Sequence, residues 1–165
     1  MGVQALFAEL QQTPLATTIR ENTVLFPGIE SLHVLAVAFL VGSVAVVDLR
    51  LLGTRSLTRS IEELMAITLP WTWVAFATAV VTGCLLFTSN AVEYSQNVAF
   101  RAKLLVLALA GLNAAVFHSA TCRGLKAWEY SLHTPPSVRV AGAVSLLCWV
   151  AIVALGRAIG FTSAL

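Results

Sequence analysis

The sequence has few charged side chains and too little polar surface for a soluble domain. Charged residues make up 11% of its 165 positions, and hydrophobic residues make up 58%. The mean hydropathy is +0.86. A chain this short has too little interior to bury so much apolar surface in water. These values exclude an ordinary soluble domain and predict an integral membrane protein, in which lipid covers most apolar side chains.

The motifs of common soluble enzymes are absent as well. There is no glycine-rich phosphate loop, no Ser, His and Asp set that could form a hydrolase triad, and no zinc-ligand spacing. The net charge of +2 comes from scattered Lys and Arg residues rather than from a basic run. Soluble-type hydrolase or kinase chemistry is therefore not expected, and neither is a nucleic-acid partner.

Cysteine is scarce, and the three residues have no Cys-x-x-Cys spacing. Cys84, Cys122 and Cys148 lie within or at the ends of apolar segments. Free cysteine in such surroundings packs as a small hydrophobe, so we interpret all of them as core thiols. The first residues lack the basic region and the cleavage site of a secretory signal, so no cleaved signal is expected.

Four apolar segments have the length of about 20 residues that crosses a bilayer core. They run over residues 29–52, 69–89, 99–121 and 138–161. Pro70 predicts the start of the second helix, because proline is tolerated in a first turn. The predicted fold class is all-α, an integral membrane four-helix bundle that forms a single domain.

Two further stretches have helical signals outside these spans. Apolar residues recur at helical spacing from Val3 to Leu10, which predicts a short amino-terminal surface helix over residues 3–20. Ser60 and Glu63 have the spacing of a capping box, which predicts a second short surface helix before the second span.

The basic residues predict the orientation of the chain. Those that flank the first and third loops are Arg50, Arg55, Arg59, Arg123, Lys126 and Arg139, and those on the other side are Arg20, Arg101 and Lys103. Because short cytoplasmic loops are enriched in Lys and Arg, both termini are expected on the non-cytoplasmic side of the cell (inner) membrane.

Ionisable side chains at membrane depth are costly and usually face a bundle interior, so they are the first candidates for a functional site. They are His33, Asp48, Lys103, His118 and Arg157. His33 lies near the outer end of the first span and His118 near the inner end of the third, a separation of roughly 20 Å in depth. The two histidines are therefore expected to serve separate sites.

Both histidines are candidate axial ligands of haem b. His118 shares a helical face with Gly111, Ala114 and Ala115. A smooth face lets a flat macrocycle approach, and histidine is a common axial ligand of haem iron. Close helix packing in lipid, with His118 hydrogen-bonded across an interface, is the alternative interpretation.

The cations of the outer half are candidate partners of haem propionates. Arg101, Lys103 and Arg157 are the residues concerned, because cationic side chains pair with carboxylates. Alternatively, Arg101 and Lys103 reach to the membrane interface, and Arg157 pairs with Glu30 or Glu93.

Asp48 needs a partner other than Arg50, since residues two apart on a helix point in different directions. One partner is His118, which Asp48 would orient as carboxylates orient metal-bound histidines. A structural link from Asp48 to basic residues of the third loop is an equal alternative.

The first span has a pattern of its own, with His33, Gly42 and the segment Asp48-Leu-Arg-Leu-Leu-Gly53. It resembles that of an uncharacterised family of small four-helix bacterial membrane proteins. It is also loosely similar to copper-resistance D membrane domains and to four-helix membrane protoporphyrinogen oxidases, although it lacks the Trp-x-x-Gly and Pro-Arg elements of the oxidases. The similarity implies haem or copper traffic.

The leading functional hypothesis is a haem-binding protein of electron transfer or redox chemistry, with a redox partner. The alternative is copper or other metal transport, for which His33, His118, Cys84 and Cys148 are candidate ligands. A third is a non-catalytic membrane subunit whose small-residue faces pack against partners. A homo-oligomer is expected under each, because four short helices enclose little space.

Overall fold

The computed structural model describes residues 2–53, 61–121 and 135–162, and these ranges are helical almost throughout. The helices are α1 (Val3–Gln11), α2 (Pro14–Glu21), α3 (Leu25–Leu51), α4 (Ile61–Ser89), α5 (Ala91–Gln96), α6 (Val98–Val116) and α7 (Pro136–Thr162), and a π-helical turn over Phe117–Thr121 follows α6. The described ranges contain no strand.

Four helices are long and apolar enough to cross a membrane, namely α3, α4, α7 and α6 with its π-helical turn. Their large apolar side chains point mostly outward, as Trp71 and Trp73 of α4 do with more than 60% of their surfaces exposed. Outward apolar faces are expected where lipid is the solvent. The prediction of an all-α membrane bundle is confirmed.

The second membrane helix begins earlier than predicted. Ile61–Ser89 is one continuous helix with Pro70 in its interior, so the prediction of a separate surface helix and of a start at Pro70 is wrong. Pro70 has no amide hydrogen to donate to the carbonyl four residues earlier, at Ala66, so α4 lacks one backbone hydrogen bond there. Helix-breaking residues such as proline are tolerated inside membrane helices. Ser60 of the predicted capping box lies outside the described residues.

The amino-terminal segment forms two helices rather than the single helix predicted over residues 3–20. The break comes at Pro14, which starts α2, with Thr13 Oγ1 accepting a hydrogen bond from the Ala16 amide at 3.4 Å. Proline in a helix interior loses a hydrogen bond and clashes with the preceding turn, whereas at the first position it is accommodated. The chain therefore starts a new helix at this point.

Helices α1, α2 and α5 cover one end of the bundle, which we call the capped end. Helix α1 packs on α5, and α2 packs on α4 and α3. The Arg20 guanidinium donates to the Ser89 carbonyl oxygen at 3.0 Å, at the carboxyl terminus of α4. A cation at this position interacts favourably with the helix dipole and satisfies a carbonyl that has no partner within the helix.

The membrane helices pack in the order α4, α3, α7, α6. Helix α3 contacts α4 and α7, and α7 also contacts α6, whereas α4 and α6 approach each other much less closely. Small residues line these contacts, with Ala36, Ala75, Ala79 and Ala110 buried. Small side chains let helix backbones approach in lipid, where packing rather than the hydrophobic effect drives association.

An apolar cluster closes the opposite end of the bundle. Leu51, Ile61, Phe117 and Val138 are its buried members, and they come from α3, α4, the π-helical turn and α7. All four membrane-spanning segments thus meet at this end, which provides a reference for the depth of the polar side chains.

Candidate functional site

His33 faces α4 in the half of the bundle nearer the capped end. Its Nδ1 lies 2.9 Å from Thr82 Oγ1. Thr82 is buried, and its hydroxyl is 2.7 Å from the Thr78 carbonyl oxygen, to which it donates. Because the hydroxyl proton is used in that bond, Thr82 Oγ1 is placed to accept from His33 Nδ1–H, and the Ala79 backbone carbonyl also accepts from the ring. In the tautomer with its proton on Nδ1, a neutral imidazole has an unprotonated Nε2.

Gly83 gives His33 the room to reach α4. A Cβ added at Gly83 would lie 3.1 Å from His33 Cε1 and 3.5 Å from Nδ1. The 3.1 Å contact is tighter than ordinary packing and would require the imidazole to give by a few tenths of an ångström, so a larger residue would interfere with the hydrogen bond to Thr82. The backbone of α4 therefore forms one wall of the histidine site.

Lys103 of α6 lies at the same level. Its charge acts on the His33 imidazole, and no described carboxylate pairs with its ammonium. The Lys103 Nζ would lie 3.6 Å from a Cβ added at Gly156 of α7, an ordinary contact distance. We call His33, Thr82, Gly83, Lys103 and Gly156 the histidine–lysine layer. All four membrane helices contribute to it.

Aromatic rings join α4, α5 and α6 at the capped end. The Phe87 and Phe100 rings are stacked with centroids 5.4 Å apart, and Tyr94 stacks on Phe100 at 5.8 Å. Burial raises the pKa of the Tyr94 phenol above its usual range, and the carboxylates of Glu93 and Glu30 raise it further. These rings hold the ends of α4 and α6 together at the capped end, although the two helices make few contacts along the rest of their lengths.

The two arginines predicted to serve propionates lie outside the histidine–lysine layer in this structure. Arg157 is exposed, and its guanidinium carbon lies 5.4 Å from the centroid of the Phe161 ring. Arg101 is exposed and donates from Nε to the Ser95 carbonyl oxygen at 2.7 Å. Lys103 is the predicted cation that the structure brings near His33.

His118 lies far from this layer, in the π-helical turn at the opposite end of the bundle. It follows Phe117 of the apolar cluster, and its own side chain is exposed. The two histidines therefore do not share a site within one chain.

Asp48 is buried at the α3–α7 contact, with 4% of its surface exposed. The partner of its carboxyl is the hydroxyl of Ser145, on α7. A Cβ added at Gly142, one turn before Ser145, would lie 3.1 Å from the Asp48 carbonyl oxygen. Asp48 thus packs against α7. The basic residues of the third loop, Arg123 and Lys126, lie outside the described residues.

The cysteines do not gather around either histidine. Cys84 is exposed, so its interpretation as a core thiol is wrong, because its face of α4 points outward. Cys148 is half-buried, and Cys122 lies outside the described residues. Within the described ranges, no three His, Cys, Asp or Glu side chains are close enough to hold one metal ion.

Sequence reasoning missed the small partners of the ionisable groups, namely Thr82, Gly83, Gly156 and Ser145. Thr82 and Gly83 stand together in an otherwise apolar stretch, a pattern that indicates an interhelical contact. Which histidine they meet depends on the rotation and depth of α4, and its sequence alone does not specify these.

A search of protein-family models matches residues 22–162 to a family described as a family of unknown function, DUF6644. The match covers the membrane helices and leaves out α1 and α2. No curated protein and no solved structure matches the chain.

Proposed function

The chain belongs to the family of unknown function DUF6644, and we propose that it is a haem-binding membrane protein of the b type with His33 as an axial ligand. The observation that carries this proposal is the hydrogen bond of 2.9 Å between His33 Nδ1 and Thr82 Oγ1. Metal-bound histidines typically donate their other ring N–H to a neighbouring group, which fixes the tautomer and the ring orientation. His33 is arranged in this way.

The donor set suits haem better than a bare metal ion. The macrocycle brings its own nitrogen ligands, so haem needs only one or two axial side chains from the protein. Copper held by side chains alone needs several soft donors. Among the described residues, Cys84 is exposed and no three-ligand group occurs. We therefore place copper handling second, as an outcome that the experiment below separates from haem binding.

Lys103 supports the proposal because it is half-buried on a membrane-spanning helix and its ammonium has no described carboxylate as partner. Charged groups at membrane depth usually pair or mark a ligand pathway. A haem propionate would supply the missing negative charge. Arg101 and Arg157 are weaker candidates, since one is bonded to a backbone carbonyl and the other is stacked on Phe161.

When bound, haem would supply an iron that alternates between ferric and ferrous states, which makes electron transfer or redox catalysis the expected activity. The residues of this chain would contribute orientation and charge. Thr82 keeps the imidazole in one tautomer, Gly83 keeps it close to α4, and Lys103 compensates an anionic group. The loose similarity to copper-resistance D domains and membrane protoporphyrinogen oxidases agrees with this chemistry. His118 stays a prediction for a second, separate site.

The test is the absorption spectrum of the purified full-length protein, before and after addition of haemin, together with metal analysis. We expect a Soret band that is lost in His33→Ala and shifted in Thr82→Val, which removes the hydroxyl but keeps the shape. Lys103→Gln should weaken haem binding with the band position nearly unchanged.

The exposed Arg139 provides the matched control, because it lies at the opposite end of the bundle from His33 and Arg139→Gln should leave the haem content close to that of the parent protein. No Soret band after addition of haemin, or an unchanged band in His33→Ala, would overturn the proposal. Stoichiometric copper without haem would favour the metal-handling alternative. Absence of both would favour a non-catalytic subunit.

A further inference from the structure

Asp48 carries a buried carboxyl that the proposed haem site does not use. Its side chain is 4% exposed, and its Oδ2 makes no hydrogen bond within the described part of the chain. The Ser145 hydroxyl is the side-chain partner of the carboxyl. A buried carboxylate is strongly destabilised when one of its oxygens accepts no hydrogen bond. The described residues around Asp48 therefore compensate the charge of its ionised form poorly.

The packing of α7 explains the low exposure of this carboxyl. A Cβ added at Gly142 would lie 3.0 Å from Leu51 Cβ and 3.1 Å from the Asp48 carbonyl oxygen, so the two helices touch almost backbone to backbone. Ser145 is one turn further along the same face of α7. Leu51 and Val138 of the apolar cluster lie between Asp48 and the end of the bundle that is opposite the capped end.

No described cation compensates the charge of Asp48. The charged or titratable residues that the elements packed around it carry at this end of the bundle are Arg50 of α3, Glu62 and Glu63 of α4, His118 of the π-helical turn and Arg139 of α7, and the Cys148 thiol lies one turn beyond Ser145 on α7. Among the described residues, the Ser145 hydroxyl is the side-chain partner of the Asp48 carboxyl. Glu62, Glu63, His118 and Arg139 are exposed, and Arg50 lies two residues from Asp48 on the same helix, a spacing at which side chains point in different directions. The site offers one carboxyl and one hydroxyl, which is too few oxygens for a metal ion.

From this geometry we infer that Asp48 is a proton-binding site of the membrane bundle. A proton taken from water forms an O–H bond at Oδ2, which removes the uncompensated charge, and the same bond breaks when the proton is returned to water. The ligand is the proton itself. The site is independent of haem, because Asp48 lies near the apolar cluster and His33 lies in the other half of α3.

The first test uses dicyclohexylcarbodiimide, an apolar reagent that adds to protonated carboxyl groups, on the full-length protein in detergent at neutral pH. Peptide mass mapping should find the adduct on Asp48 and its complete loss in Asp48→Asn. The exposed Glu30 is the matched control, and Glu30→Gln should leave labelling of Asp48 unchanged. No adduct on Asp48 in folded protein would overturn the inference. Protection by sodium, but not by choline at equal ionic strength, would also overturn it in favour of a cation site.

The second test compares stability and infrared absorption. Asn matches the shape of a protonated Asp, so Asp48→Asn should melt at the same temperature as the parent protein or higher. The parent should show the carbonyl band of a protonated carboxylic acid, the variant should lack it, and Ser145→Ala should shift it. A marked fall in melting temperature for Asp48→Asn, with no such band in the parent, would show a charged and paired carboxylate instead.

Discussion

At the scale of single residues, three ionisable groups of the described bundle contact small residues of a neighbouring helix. His33 meets Thr82 and Gly83, Lys103 meets Gly156, and Asp48 meets Ser145. Small partners allow a polar side chain to lie between closely packed helices. The chemistry of each ionisable group therefore depends on the space that its neighbour leaves open.

Gly83 provides a test of this arrangement. Gly83→Val should lower the free energy of unfolding by about 1–3 kcal/mol, because the side chain would overpack the His33 imidazole. The exposed Gly42 of α3 has no neighbour within 4 Å of an added Cβ and is the matched control. Gly42→Val should change stability by no more than about 0.5 kcal/mol. Thermal melting in detergent measures both, and equal melting temperatures would contradict the close approach of His33 to α4.

At the scale of elements, α3 and α7 pack very closely at Gly142. An added Cβ at Gly142 would meet both a side chain and a backbone oxygen of α3. A flexible side chain can move aside, but a backbone carbonyl moves only with its helix. The crossing therefore depends on glycine at this position.

Gly142→Ala should consequently separate α3 from α7 and destabilise the protein by about 1–3 kcal/mol. Gly160 lies in the same helix with open space around its Cβ position, so Gly160→Ala is the matched control. That control should be neutral or stabilising by up to about 1 kcal/mol, because Ala favours helix more than Gly does. The comparison uses unfolding in detergent, and a neutral Gly142→Ala would show that the two helices pack less closely.

At the scale of the whole molecule, the orientation in the membrane decides what each polar site can exchange with. Basic residues of the first and third loops predict that both termini lie on the non-cytoplasmic side. In that orientation the histidine–lysine layer lies in the outer half of the membrane and Asp48 in the inner half. Electrons would then enter near the outer surface, whereas Asp48 would take its proton from the cytoplasmic side.

Reporter fusions test this orientation. Alkaline phosphatase joined to either terminus should be active, because it folds only outside the cytoplasm, and a green fluorescent protein at the carboxyl terminus should stay dark. Fusions in the first loop should give the opposite pair of signals and serve as the internal control. Fluorescent terminal fusions would show the reverse orientation and would exchange the sides assigned to His33 and Asp48.

The sequence predicted the membrane helices because the hydropathy of about 20 consecutive residues is a local property, and it determines by itself whether a helix is stable across the lipid core. It was less successful where local signals competed. Pro70 indicated a helix start in the sequence but lies inside α4, because a segment in lipid has no water to bond its backbone and stays helical. Pro14 begins α2 instead, where Thr13 caps the helix and the missing amide hydrogen removes no helix bond.

For the sites, the sequence was sufficient to identify His33, Asp48, Lys103, His118 and Arg157, because ionisable residues are rare within membrane-spanning segments. Only the tertiary structure decided which of them are enclosed and by what. The rotation and depth of each helix bring Thr82 to His33, Ser145 to Asp48 and Lys103 to the same layer as His33, and leave His118 and Arg157 exposed. The rotation and depth of each helix depend on contacts between small residues that are far apart in the sequence. The hydropathy pattern along the chain does not specify these contacts.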